Sequence, residues 1–353
     1  MVNSRLSETE EINWQGRSLA EKMYRRRELL QPGRVDQFAG GGYWLHVSRP
    51  AMACRFEVTL PSEVESGVGE ASLALDEVGR IESQLSIFRE ESEVSRINRQ
   101  GSQMAVEIDA DLFGLFRRCR DLSLATERAF DITSGPLSRV WGFTRRAGRV
   151  PGVEEIAEAC RSVGIEGLLL DSDNHSVRLA WPGMEINPGS VGKGYAIDRV
   201  AGRLRRQRIP ALITAGFSSM LALGQIWTVG VRDPRHPIGA GRRLATVRLR
   251  NLALGTSGNE EQSFEYEGRR YGHLIDPRTG WPAPSGMSAT VIASSAEQAD
   301  GLATAFYIGG ERLARWYCDG NPGIVAILLG DGAERPLVIG SHPQCEVMLN
   351  EQR

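Results

Sequence analysis

What most constrains this chain is the order in which its two hydrophobic periods occur. The helical period comes early. Val68–Phe88 sets Leu75, Val78, Ile81, Leu85 and Phe88 along one stripe, and Asp111–Thr126 carries Leu112, Leu115, Phe116, Cys119 and Leu122. Val153–Val163 is a third candidate helix. Short strand-like runs then dominate: Gly167–Asp171, Ser176–Trp181, Ala211–Thr214, Trp227–Arg232 and Leu244–Leu249, with Cys54–Leu60 alternating ahead of them. One helix, Lys193–Arg206, interrupts these strands. The last third reads as strands near Ser263–Tyr271, Met287–Ala293 and Gly323–Leu329, with a helix from about Ala296 to Tyr307. Strand and helix neither alternate strictly nor separate into blocks. That order predicts an α+β fold of mixed or antiparallel sheets with packed helices rather than a doubly wound parallel sheet.

Compact sequence begins near Tyr43. Residues 1–42 are expected to form an N-terminal appendage, flexible or not, ahead of a domain at 43–353. Within the appendage, Leu19, Met23, Leu29 and Leu30 fall on one side of a short helix through Glu21–Leu30, and Gly40-Gly41-Gly42 breaks the chain. Lys plus Arg number 42 against 44 Asp plus Glu, a net charge of −2, which lacks the cation excess of a dedicated nucleic-acid binder. The five cysteines are scattered and form no CxxC pair, so neither a disulfide framework nor a zinc knuckle is indicated. No apolar run approaches the roughly 18 residues of a membrane span. Met1–Asn13 carries no basic-then-apolar signal pattern, so the expected location is the cytoplasm.

Four stretches carry possible chemistry. Ile186-Asn-Pro-Gly-Ser-Val-Gly-Lys-Gly-Tyr195 precedes an amphipathic helix with Ala196, Ile197, Val200, Ala201 and Leu204 inward and Asp198, Arg199, Arg203, Arg205 and Arg206 outward. A glycine-rich turn opening a helix offers free N–H groups and the positive end of the dipole, and Lys193 adds a full cation. Taken alone, the stretch reads equally as a helix-capping turn and as a phosphate site. Gly272-His-Leu-Ile-Asp-Pro-Arg-Thr-Gly280 packs His273, Asp276, Arg278 and Thr279 into one turn, and a His beside a carboxylate can act as acid, base or orienting group. Gln298-Ala-Asp-Gly-Leu-Ala-Thr304 places the oxygens of Asp300 and Thr304 on one helix face. Two hard oxygens suit Mg²⁺, although a solvated carboxylate is the simpler reading of that stretch alone. Ala129-Phe-Asp-Ile-Thr-Ser-Gly-Pro-Leu137 is followed by Val140-Trp-Gly-Phe143, whose aromatics are expected in the core.

Together, FDITSGPL with WGF, NPGSVGKGYAID, GTSGN, HLIDPRTGWP and SSAEQADGLATAF follow one another in an order that resembles the FAD:protein FMN transferase family, the ApbE-like flavin transferases. Met52-Ala-Cys54 and Ser86-Ile-Phe-Arg with Ser92-Glu-Val-Ser-Arg-Ile-Asn98 extend the likeness, which covers about Met52 to Gly310. The resemblance implies an α+β fold holding FAD as substrate, with Mg²⁺ beside its pyrophosphate. It implies transfer of the FMN half to a Thr or Ser hydroxyl of an acceptor protein with a flavinylation motif, such as a subunit of a redox membrane complex, with AMP leaving. By position it makes Asp300, Thr304 and the carbonyl of Ser190 metal ligands. It places Met52, Phe88, Ala129, Phe130, Asp131, Asn187, Lys193 and Ile275 around FAD, and makes His273 the group that activates the acceptor hydroxyl.

The chain departs from the family pattern at Asn187, where Asp is common, and at Ala53 and Cys54, where Gly and Thr are usual. Thr214-Ala-Gly-Phe-Ser218 stands in place of Asn-x-Gly-Gly-Asp. These departures support one alternative, an FAD-binding protein without transferase activity; a second is a pyrophosphatase in which water replaces the acceptor hydroxyl and FAD gives FMN and AMP.

Overall fold

The computed structural model describes residues 43–236, 240–258, 262–283 and 288–350. The appendage 1–42 with its expected helix, Asn259 of the GTSGN stretch and Met287 lie outside the described residues. The chain runs β1 (Trp44–Ala51), β2 (Cys54–Pro61), α1 (Val68–Leu85), α2 (Glu93–Gln100), β3 (Val106–Glu107), α3 (Ala110–Ala125), α4 (Gly135–Val140) and α5 (Val153–Cys160). It continues through β4 (Leu168–Asp171), β5 (Ser176–Leu179), α6 (Gly192–Arg206), β6 (Ala211–Ala215), β7 (Ser219–Leu223), β8 (Trp227–Arg232) and β9 (Arg243–Leu249). The remainder is β10 (Leu252–Gly258), β11 (Ser263–Tyr266), β12 (Arg269–Gly272), β13 (Ser288–Ala293), α7 (Ala296–Gly320), β14 (Val325–Leu329), β15 (Leu337–Ile339) and β16 (Cys345–Leu349).

The main sheet has eight strands in the order β1-β2-β6-β7-β10-β13-β14-β15, and each neighbouring pair is antiparallel. Spatial order therefore follows chain order, and the sheet is a meander into which everything else is inserted. The early helices all fall between two adjacent strands, β2 and β6. The hairpin β11–β12 falls between β10 and β13, and α7 between β13 and β14.

Both faces of the central strands are covered. Ala253, Ala289, Val291, Ala293, Ala326 and Leu328 pack with α6 and α7 in the main core. Their neighbours Leu252, Leu254, Ile292, Val325 and Ile327 meet β8 and β9 on the other side, through Val229, Val231, Ala245, Val247 and Leu249. Two-sided burial explains why β14 reads as an unbroken apolar run and why β13 is buried at every position, while β9 alternates more clearly. A third cluster, with Leu137, Trp141, Phe143, Phe264 and Ile275, joins α4 to the β11–β12 hairpin, so the aromatics after the FDITSGPL stretch are core as expected.

Several boundaries differ from expectation. Helix α1 ends at Leu85, because Ser86 turns extended (ψ 125°) and its hydroxyl accepts from the amides of Phe88 and Arg89. Phe88 thus leaves the helical stripe and stands 75% exposed. The strand expected at Ser263–Tyr271 is a hairpin. Helix α7 runs past Tyr307 to Gly320, broken at Gly310. Strands β1, β3, β7, β10, β15 and β16 and helices α2 and α4 stand where no element is expected from the sequence.

Candidate active site

The centre of the site is a crossing of two helix starts over the sheet. Helix α7 lies almost on β10: a Cβ added to Gly255 would come within 2.6 Å of the Ala299 carbonyl carbon and 2.7 Å of Asp300 Oδ1. Helix α6 approaches α7 as closely, since a Cβ on Gly194 would meet the Ala296 carbonyl oxygen at 2.2 Å. Only glycine permits these two approaches. They bring Lys193, Asp300 and Thr304 into one corner.

The two helices cap each other. Asp300 of α7 accepts the Gly194 amide of α6 through Oδ2 at 2.8 Å. Asp198 of α6 accepts the Ala296 and Glu297 amides of α7, each at 2.9 Å. Both carboxylates use donors that a helix cannot satisfy within its own first turn. Asp198 was expected on the outward face. It instead flanks the start of α7, because the two helices pack at their N-terminal ends. Burial pushes its carboxyl up to about 6, against the pull of the two amides.

Asp300 is 6% exposed, not the solvated carboxylate its stretch suggested. Burial pushes it up to about 7, while the Lys193 charge, the Ser219 hydroxyl at 2.9 Å and the Gly194 amide pull it down. Lys193 donates to the Ser218 hydroxyl. Thr304, one turn beyond Asp300, donates to the Asp300 carbonyl at 3.2 Å and shares a hydrogen bond of 3.2 Å with Ser257 of β10. A carboxylate and two hydroxyls are all hard oxygens, and a buried carboxylate with a raised pKa gains most from a cation beside it. Among the described residues no cluster of three or more His, Cys, Asp or Glu offers a rival metal site. The donor set fits a hard divalent ion with few protein ligands.

The remaining stretches are joined to this corner. Ser190 ends the 3₁₀ turn Pro188–Ser190 that leads into α6 and packs against α7. Asn187 opens that turn: its side chain accepts the Gly189 amide at 3.1 Å, and its own amide donates to the Ile132 carbonyl at 2.7 Å. Asp131 lies next door, buried, accepting from the Thr133 amide at 2.8 Å and hydroxyl at 2.7 Å, with burial raising its pKa. Ala129 and Phe130 have no exposed surface, so any part they take in a site is through their backbone. Trp141 Nε1 donates to the Gly280 carbonyl at 2.9 Å and ties this region to the His273 turn. Ile275 is 6% exposed and packs into that aromatic cluster.

His273 sits half-buried at the end of β12 and shares a 3.1 Å hydrogen bond through Nδ1 with the Gln262 carbonyl. A carbonyl can only accept, so Nδ1 carries the proton and the neutral ring's basic lone pair is on Nε2. Asp276 does not orient it. Its carboxylate turns to the Arg278 amide and guanidinium at 2.8–2.9 Å. In the turn between β1 and β2, the Met52 amide donates to Glu82 at 2.7 Å, and Glu82 pairs with Arg89 of the Phe88 loop at 3.6 Å.

Sequence reasoning missed Ser218, Ser219, Gly255 and the capping role of Asp198. Ser218 and Ser219 follow the turn glycine Gly216, and Gly255 and Ser257 lie two apart in a strand. Neither pattern signals a site until the strands are paired: Ser219 stands opposite Gly255 in the sheet.

Residues 52–328 match the ApbE family. The FAD:protein FMN transferase of Klebsiella pneumoniae is 32% identical over 232 residues, which is 65% of this chain and 72% of that protein. The FAD:protein FMN transferase of Vibrio cholerae is 28% identical over 302 residues, 82% of this chain and 89% of the relative. Among solved structures, the ApbE protein of Thermotoga maritima superposes with a TM-score of 0.75 at 30% identity, covering 83% of this chain and 96% of its own. The apo flavinyl transferase ApbE of Pseudomonas stutzeri gives 0.70 at 27% identity, over 84% and 94%. With matching order of motifs, fold and sequence profile over most of its length, this chain belongs to the ApbE family.

Proposed function

We propose that the protein transfers FMN from FAD to a Thr or Ser hydroxyl of an acceptor protein and releases AMP, with Mg²⁺ as its metal. The observation that carries this reading is the Asp300 carboxylate, buried at the start of the Lys193 helix with the Thr304 hydroxyl one turn on. Attack by the acceptor oxygen on the FMN phosphorus breaks the P–O–P bridge and places negative charge on the departing AMP. Lys193 supplies a cation there, and the first turn of α6 supplies backbone donors. Asp300, Thr304 and the Ser190 carbonyl would hold Mg²⁺, which when bound neutralises charge on the phosphate oxygens. His273, with its basic Nε2, takes the proton from the acceptor hydroxyl. Met52, Phe88, Asp131, Asn187 and Ile275, with the backbone at Ala129 and Phe130, form the surroundings of FAD.

The test is an assay of purified protein with FAD, Mg²⁺ and an acceptor carrying the family's flavinylation motif. Expected is an acceptor mass increase equal to FMN less one water, as an ester bond requires, with AMP formed in equal amount. FAD bound with no covalent flavin on the acceptor overturns transferase activity. AMP released at the same rate without acceptor replaces it with pyrophosphatase activity.

A further inference from the structure

We infer that Phe217 is a stacking plate for one of the two heteroaromatic rings of the dinucleotide, a substrate contact that this chain has where its family's pattern has glycine. The inference rests on the reading that FAD is the substrate, and it adds a residue that this reading does not use.

Phe217 is the middle residue of the turn between β6 and β7 and is 61% exposed. Every other described phenylalanine except Phe88 is buried. Its exposure is not forced by strain: Gly216 takes the left-handed backbone of the turn (φ 60°), and Phe217 does not. The turn is held from both sides. The Gly216 amide donates to the Arg55 carbonyl at 2.9 Å, and the Thr256 amide donates to the Ser218 carbonyl at 2.7 Å. A ring standing in solvent on a fixed backbone loses little entropy when another ring is laid on it.

Its place is equally specific. The next residue, Ser218, accepts from Lys193, and the one after, Ser219, donates to Asp300. Phe217 therefore directly precedes the residues bonded to Lys193, the cation proposed at the diphosphate, and to Asp300, the carboxylate proposed to hold Mg²⁺ beside it. On its other side, a Cβ on Gly216 would lie 3.5 Å from the Cys54 Cβ, at the end of the turn whose Met52 amide is tied to Glu82. Glu82 also pairs with Arg89, next to Phe88, at 3.6 Å. The two exposed phenylalanines thus sit on neighbouring loops flanking one turn. A diphosphate seated at Lys193 carries a ring on each arm, isoalloxazine or adenine, and either arm can bring a planar ring to Phe217.

The experiment measures FAD, FMN and ADP affinities for wild type, Phe217→Ala, Phe217→Leu and Phe217→Trp, with thermal melts to verify folding. FAD affinity is expected to fall about 5- to 10-fold in the Ala and Leu variants and to be kept in the Trp variant. A parallel loss for FMN assigns the plate to isoalloxazine, and a parallel loss for ADP assigns it to adenine. Unchanged FAD affinity in both Ala and Leu variants overturns the inference, as does a change confined to the KM for the acceptor protein. Absence of FAD binding by wild type is a different failure, since it removes the substrate reading first and the plate with it.

Discussion

The corner where α6, α7 and β10 meet and the rim, that is, the two loop regions that carry Phe88 and His273, are built on opposite plans. In the corner, Asp300 and Asp198 are locked by backbone amides of a partner helix, and two glycines set contact distances that no other residue allows. At the rim, Phe88 stands 75% in solvent and His273 is held through a short hairpin. The corner must keep charges at fixed spacing, so it is tied to the main core. In the proposed function these loops admit a dinucleotide and an acceptor polypeptide, a role that suits segments anchored by local bonds. The two regions should therefore fail differently when changed.

The largest effect belongs to the corner. Asp300→Ala is expected to lower FMN transfer by about 10³-fold, because it removes the carboxylate that would hold the cation and leaves the Gly194 amide without its acceptor. Rates of AMP release at saturating FAD check this, and a loss under tenfold would detach Asp300 from the chemistry. At the rim, His273→Ala is expected to reduce kcat by about 10²-fold while FAD affinity, read by flavin fluorescence, stays unchanged. Equal losses in both would make His273 a binding residue instead.

The same contrast explains what could be read from the sequence. Helical spacing put Asp300 and Thr304 on one face and the glycine-rich turn put Lys193 at the start of α6, but spacing alone favoured a solvated carboxylate; it was the order of motifs that joined the three in one candidate site. What stayed hidden was whatever depends on strand pairing. Ser219 and Gly255 face Asp300 because β7 and β10 are neighbours, and neither strand was expected from the sequence: β7 has no polar–apolar alternation and the apolar run of β10 stops at Gly255. Asp198 was misplaced for a related reason: a helical wheel gives an angle around one axis and not the partner that meets it. The α+β class was legible because both periods were present. The single meander was not, because the order of strands in a sheet leaves no trace in any one strand.

Stability should separate the regions again. Gly255→Ala drives a methyl into the backbone of α7 and is expected to cost about 2 kcal/mol in urea unfolding. Phe88→Ala, on the exposed rim, should change it by less than about 0.5 kcal/mol. If both variants cost the same, the close packing of α7 on β10 is not a determinant of stability.

The last effect is a slope with pH rather than a fixed loss. Burial raises the Asp198 carboxyl to about 6 in the folded protein, against 3.8 for the ordinary group. Between roughly pH 4 and 6 the unfolded chain then binds fewer protons at this site than the folded one. Its contribution is fully present below about pH 4 and is lost as pH rises through 6, by at most about 1.4 kcal/mol per pH unit. Asp198→Asn removes that slope. An amide oxygen still accepts one of the two α7 amides, and the lost second bond adds an offset of about 1 kcal/mol that does not vary with pH. Unfolding free energies at pH 4, 5, 6 and 7 should therefore give a wild-type curve that falls more steeply than the variant's across this window. Parallel curves would mean that the amides at the start of α7 stabilise the ionised carboxylate enough to cancel its burial, and the helix start would then be the stronger influence on this corner.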